Sequence, residues 1–331
     1  MAVKPPPKAN PAPAPSPASA LSRRWLPAGA KGVVTLRVHS LLSDSATQPL
    51  VLRSKPLWQN YVGKLLAALA LEPDQIERLT FSTLDPSNQS VPWIVAIELK
   101  EALPEANKWL KKYQALPDKL GPLLAYEAVG WPDPFILDAS HTTIVSGPLL
   151  RLGALCTASA PGPATTAVEQ AWDALNSKSG AGIVLDLAYL RKPHEPPAAF
   201  AIGQETIATL ERWGAPRDDS RVVTELPLAL GLSAGVNDED LHADLVLVCE
   251  SKTVADQTKD ALENVTGSLQ TTLTNQRKSL AQNLLSLPMT MATADQVHLL
   301  IDHGIRSLES RTVTVDENLV RLSAKTKGEL A

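Results

Sequence analysis

The strongest constraint on how this chain folds is an order of elements that occurs twice. LPAGAKGVVTLRVHSLL, residues 26–42, has a counterpart in SGAGIVLDLAYL, residues 179–190: with one gap, Leu36, Val38 and Leu41 fall on Leu185, Leu187 and Leu190. In the first half Val33–Val38 reads as a strand, and Leu57, Tyr61, Leu65 and Leu69 recur at the four-residue spacing of a helix capped by Ser54. Leu79–Leu84 and Trp93–Leu99 flank the turn-rich Asp85–Asn88 as a hairpin. Pro104 opens a helix with Ala106, Trp109, Leu110 and Tyr113 on one face, and strands follow at Leu124–Val129, Phe135–Leu137 and Thr143–Val145. The second half repeats the order: a strand Ile183–Leu187, a helix over Thr206–Trp213, then strands Leu226–Leu232 and Asp244–Val248 about Gly235–Asp238. A long helical pattern runs from Thr253, with Asp256 completing a capping box, and strands are expected at Val297–Ile301, Ile305–Leu308, Thr312–Val315 and Leu319–Leu322.

Local matches run alongside. PDQIERLT, residues 73–80, sets beside PRDDSRVVT, residues 216–224, and VAIELKEALPEANKWLKKY beside LVLVCESKTVADQTKDALENV. All keep an offset of about 150 residues, longer than a solenoid period and typical of a duplicated domain. A chain of 331 residues suits two such cores. The expected division is a Pro/Ala-rich tether over residues 1–24, a first module over 25–160 and a second over 161–331 with the longer helix. The expected fold is α+β: two similar modules, each β-α-β-β-α-β with an extra strand and an antiparallel sheet, of ferredoxin-like split β-α-β character. Helices on one face leave the other to be covered; two modules covering each other would place a ligand groove along their mutual surface.

Residues 1–24 carry no apolar periodicity, and their prolines remove backbone donors and favour an extended spacer. Apolar residues make up 44% of the chain and charged residues 20%, the balance of an ordinary folded protein, so general disorder is excluded. A net charge of −4 with no basic cluster gives no footprint for nucleic acid. No apolar run reaches the eighteen or so residues needed to cross a bilayer, and no signal-peptide core precedes the tether. The chain therefore reads as soluble, either tethered outside the cytoplasm or cytoplasmic. Cys156 and Cys249 lack zinc spacing and read as small apolar residues.

No catalytic motif comes with the context its chemistry needs. Gly231-Leu232-Ser233-Ala234-Gly235 matches the G-x-S-x-G nucleophile elbow, but a turn and a strand come after it, where the elbow needs a helix to supply its oxyanion amide. In the hydrolase alternative Ser233 would attack with His303 or His242 as base and Asp302 or Asp295 orienting it. His298 and His303 fall on opposite faces of a strand, so no shared metal is expected. The acidic pairs Asp218-Asp219 and Asp238-Glu239-Asp240 read as turn residues. Gly180-Ala181-Gly182 precedes a strand instead of joining one to a helix, so no phosphate cradle or nucleotide cofactor is expected. Trp131, in the Gly130–Pro134 turn, and His141, at the Asp138–Ser140 turn, are the candidate interaction surface.

The helical region Ser251–Leu287 is expected to break near Gly267, because glycine is poor in a helix interior; unbroken, it would offer a self-association surface. The opening Trp25-Leu26-Pro27-Ala28, the strand Val33–Val38, a helix and then Pro73–Thr80 resemble a loosely defined group of uncharacterised planctomycete-type bacterial proteins. The resemblance implies such a region behind a proline-rich linker, after a membrane segment or a kinase domain, and no catalytic residues. The expectation is a non-catalytic binding or scaffolding protein, with a protein partner or a second copy as its ligand and no cofactor.

Overall fold

The structure, a computed structural model, describes residues 24–38, 62–86, 91, 93–120, 122–157, 166–175, 179–192, 204–237, 240–283 and 301–327. Its strands are β1 (Gly32–Leu36), β2 (Ile76–Thr83), β3 (Ile94–Leu99), β4 (Gln114–Leu120), β5 (Leu123–Glu127) and β6 (Phe135–Leu137). They continue as β7 (Thr143–Ser146), β8 (Ala181–Asp186), β9 (Ala229–Asn237), β10 (Asp240–Val248), β11 (Thr312–Asp316) and β12 (Leu319–Lys327). All twelve join one sheet in the order β11-β12-β10-β9-β8-β1-β2-β3-β7-β6-β5-β4. The helices are α1 (Lys64–Ala68), α2 (Ala106–Leu110), α3 (Leu149–Thr157), α4 (Ala167–Ala174) and α5 (Leu187–Leu190), then α6 (Gln204–Arg212), α7 (Arg217–Glu225) and α8 (Lys252–Asn283). Residues 301–309 add a further helix, α9.

The chain is thus α+β around a large antiparallel sheet, but its arrangement differs from the expected one in two ways. A split β-α-β unit runs its two helix-linked strands parallel, with a third strand inserted between them. Here β1 and β2 pair directly and antiparallel with no strand between them, and β1 lies between β2 and β8. The halves also meet edge to edge instead of face to face: β1 and β8 pair along their length, with Val33 opposite Val184. Backbone ladder bonds, which a strand edge leaves unmade, close that seam.

Side-chain alternation gives the sheet two buried faces. On one, Ile94, Ala96, Ile136 and Val145 pack with Trp25 and with Leu152 and Leu155 of α3, while Val33, Val184, Ala229 and Val248 pack under Val168, Ala171 and Trp172 of α4. On the other, Leu79, Val95, Ile97, Phe135 and Ile144 meet α1 and α2, and Leu247 and Val320 meet Ala255 and Leu262 of α8. Thr166 caps α4 in a complete capping box with Glu169, a pattern the sequence carries as T-x-x-E.

Several local expectations change. α8 runs unbroken through Gly267 to Asn283. A helical glycine costs only about 1 kcal/mol, whereas Leu262, Val265 and Thr266 before it are buried and Gln270 and Thr272 beyond it bond Arg311 and the Trp213 carbonyl. Residues 284–287 lie outside the described residues. The cap of α8 is Ser251, whose Oγ accepts the Val254 amide, while Asp256 pairs with Lys252 instead of closing a box from Thr253. The expected strand Ile305–Leu308 is helical, because Ile301 and Ile305 share one buried side four residues apart. The matched segments 73–80 and 216–224 fold differently, one mostly into β2 and the other into α7, which buries Ser220 and Thr224 one turn apart. Asp218 and Asp219 consequently occupy the first turn of a helix, where carboxylates face its positive end. Residues 1–23 of the tether, the module junction at 160/161, Ser54, Asp295 and His298 lie outside the described residues.

Candidate functional site

Ser233 sits in the middle of β9, between Gly182 of β8 and Asp244 of β10. Strand geometry continues on both sides of it, so the sharp strand-to-helix turn of a nucleophile elbow is not formed. Its side chain is 5% exposed and its Oγ has no partner, while Asp244 accepts from Ser323 Oγ at 2.5 Å. His242 lies on the same face, its Nε2 3.2 Å from Ser179 Oγ. His303 and Asp302 belong to α9, which packs on α8 through Gly304 and Leu273 and through an Arg277–Asp302 ion pair of 2.7 Å. Since α8 covers the opposite face from Ser233, the sheet separates Ser233 from His303 and Asp302, whereas His242, the alternative base, shares its face but is bonded to Ser179 and not to Ser233. Buried hydroxyls are thus present without converging chemistry.

The strand face carrying Ser233 is tightly packed. A Cβ on Gly235 would lie 2.8 Å from the Gly180 amide nitrogen and 2.9 Å from His242 Cε1. Backbone cannot swing aside as a side-chain tip can, so Gly235→Ala should cost about 1–3 kcal/mol. Urea denaturation checks this; a midpoint equal to the parent's contradicts the stated packing.

Trp131 is half-buried, packs against the Phe135 cluster and donates Nε1–H to Ser146 Oγ at 2.8 Å. His141 holds a left-handed turn at φ 58°, its carbonyl accepting the Leu103 amide. Burial pushes the thiol pKa of both Cys249 and Cys156 up, offset in part by the Thr258 hydroxyl at Cys249 and by Arg24 at Cys156. Both therefore stay protonated and unreactive near neutral pH. Among the described residues no group of three or more His, Cys, Asp or Glu could hold a metal, and no helix is long and apolar enough to cross a membrane.

On the face opposite Ser233 the sheet forms an apolar groove of about 480 Å³. It crosses β1, β8, β9, β10 and β12 between the core under α1 and α2 and the core under α8. Strand register lines up Val34, Ile183, Leu232, Leu245 and Leu322 as one continuous row of large aliphatic side chains. The neighbouring row reads Leu36, Ala181, Ala234, Ala243 and Ala324. Large residues raise a wall and alanines leave a trough beside it. Leu232, at the centre, is 43% exposed and Ala234 beside it is exposed too, while Gly231, Ser233 and Gly235 on the strand's other face are buried. A smaller depression of about 290 Å³ is lined by Asp74, Gln75, Lys100 and Glu101. Backbone bonds such as Lys100 N–H to the Gln75 carbonyl already tie it together.

The groove escaped sequence reading because its residues come from five separate strands. Each local pattern signals a strand, but register alone aligns the alanines, and register is set by long-range pairing.

The chain matches no family model and no curated protein. Solved structures of TP0453 are similar at low level: crystal form I with a TM-score of 0.38 and 8% identity, and forms III and IV with 0.40 and 9%. Each alignment covers 92% of this chain and 92–94% of the other.

Proposed function

We propose that the chain is a non-catalytic binding protein built from a duplicated α+β module, with the apolar groove as its binding surface. The carrying observation is the groove itself: contiguous aliphatic side chains spread over five strands, with Leu232 left in solvent at their centre. Isolated exposed leucines are ordinary, whereas contiguous apolar surface set in a concavity marks binding. The duplicated reading draws support from strand order: β1-β2-β3-β7-β6 on one side of the seam and β8-β9-β10-β12-β11 on the other follow the same path through the sheet. In this reading the Pro/Ala-rich residues 1–24 act as a spacer, the arrangement implied by the planctomycete-type resemblance. The hydrolase alternative finds no support in the separation of Ser233 from His303 and Asp302.

The test is binding of 8-anilinonaphthalene-1-sulfonate to the folded protein. Leu232→Lys should abolish the dye's fluorescence gain while changing stability by no more than about 0.5 kcal/mol, since the position is part-exposed. Equal fluorescence from parent and variant would remove the groove as the binding surface. Ser233 should give no fluorophosphonate adduct; stoichiometric labelling lost in Ser233→Ala would restore the hydrolase.

A further inference from the structure

We infer that the outer edge of β11, a surface separate from the groove, pairs with the same strand of a second copy of this chain, antiparallel and about a two-fold axis at Thr314. β11 is the terminal strand of the sheet, and among the described residues nothing pairs with its outer side. The tight hairpin decides which backbone groups lie there. Asp316 opposes Leu319 across the turn, and Asn318, one step before Leu319, gives its carbonyl to the Cys249 amide on the β10 side. Bonding direction alternates along a strand, so Leu319, Arg321 and Ser323 bond Asp316, Thr314 and Thr312. The amides and carbonyls of Val313 and Val315 therefore point outward.

What singles out a second copy is that this edge complements itself. Residues 311–317 read Arg-Thr-Val-Thr-Val-Asp-Glu. Run antiparallel against itself about Thr314, the segment sets Val313 against Val315, Thr312 against Asp316 and Arg311 against Glu317. Valine packs on valine, a hydroxyl faces a carboxylate that can accept from it, and opposite charges meet at both ends. The backbone agrees, because each facing Val313–Val315 pair exchanges both of its bonds. A slide of two residues, the smallest that keeps the outward groups facing, sets Val315 against Arg311 or Val313 against Glu317 and separates the charges. Glu317 is exposed without an ion pair among the described residues, and Arg311 spends Nη1 on Gln270 and the Leu308 carbonyl, which leaves Nε and Nη2 for it. Val313 and Val315 are only half-buried against α8, so pairing covers the part of each still in solvent.

The far edge of the sheet differs. β4 carries Pro117 and a register shift between Ala115 and Lys119, features that blunt an edge, and β11 carries neither. A two-fold contact uses the same strand of both copies and closes, so the product is a dimer and not a filament. Its five residues span about 17 Å. That falls short of a standard interface and places the dimer in the weak, rapidly exchanging class.

The test is sedimentation velocity on the full chain, from micromolar to near-millimolar concentration. Expected is a reversible monomer–dimer equilibrium with no larger species. Val315→Pro removes the outward N–H that donates to Val313 of the other copy, and by symmetry does so at both ends of the pairing, so association should weaken about tenfold or more. Thr314 is exposed and lies on the axis. Thr314→Lys and Thr314→Glu should therefore each unfold at the parent's urea midpoint yet stay monomeric, because like charges then face each other. Mixed in equal amounts, the two variants should dimerise again, opposite charges now meeting on the axis. A parent that stays monomeric across the range overturns the inference and leaves the groove reading untouched. So does a Thr314→Lys or Val315→Pro protein that dimerises like the parent, which moves the contact to another surface such as α8. Two monomeric Thr314 variants that fail to recover on mixing overturn the pairing about Thr314.

Discussion

Phe135→Ala should lower the stability of the fold by about 3–5 kcal/mol, the cost of removing a fully enclosed aromatic ring. Phe135 is wholly buried on β6 and is the hub of the aromatic cluster: Trp109 at 5.6 Å and Tyr113 at 5.0 Å meet it edge-on, and Tyr126 stacks on it at 5.7 Å. Aromatic residues are only 4% of this chain, so four in mutual contact concentrate packing energy that aliphatic contacts supply elsewhere. The cavity would open in a core whose neighbours are pinned, Trp109 by its Nε1–H bond to the Leu69 carbonyl at 3.2 Å, so little relaxation can refill it. Urea denaturation with an unchanged slope measures the loss; less than about 1 kcal/mol would contradict the hub role. Tyr113 gives a second readout. Burial pushes its phenol pKa up to about 12, so the folded state holds its proton where the unfolded chain has lost it. Stability should therefore decline as pH rises from 10 toward 12, and Phe135→Ala, by admitting water, should bring the folded phenol's titration back toward 10.

Val184→Asp should be at least as damaging. Val184 and Val33 face each other across the β1–β8 seam, both at 0% exposure beneath Ala171 and Trp172. A carboxylate there lacks a partner, because the nearby Lys31 already binds Asp186 at 2.8 Å. An uncompensated buried charge costs about 3–5 kcal/mol. Val184→Ala separates the charge from the lost volume. A Val184→Asp protein that unfolds at the parent's urea midpoint would mean that the halves do not share this seam. The contrast with Leu232→Lys is informative because both positions lie in the central strands, on opposite faces.

Sequence alone reached the hairpins well. β2–β3, β6–β7 and β11–β12 each show alternation or an apolar run on either side of turn residues, and such signals are local. It failed where local signals are shared. Ile301 and Ile305 lie an even number of residues apart and so suit alternation as well as a helix, only Leu308 three residues on favouring the helix, and Pro73 and Pro216 each precede polar residues whose likeness hides different periods. β4 went unseen because Pro117 interrupts it and its register with β5 shifts between Ala115 and Lys119. Ser233 was found by a motif that describes a turn, yet the residue lies where the ladder continues. The alanine trough needs Ala181, Ala234 and Ala243 side by side, and no window of sequence contains all three.

The seam also has a history in time. Val33 leaves the ribosome about 150 residues before Val184, on the order of ten seconds at ordinary elongation rates. Through that interval β1 is the last strand of a half-built sheet, with one side of its backbone unpaired and GVVTL, a short β-prone run without charge or proline, lying along it. The arrival of β8 turns this strand from the margin of the nascent sheet into its middle. A nascent chain cut between the halves should thus expose a sticky edge that the finished protein has nowhere on its surface at that place, and the first half is the fragment that needs a chaperone.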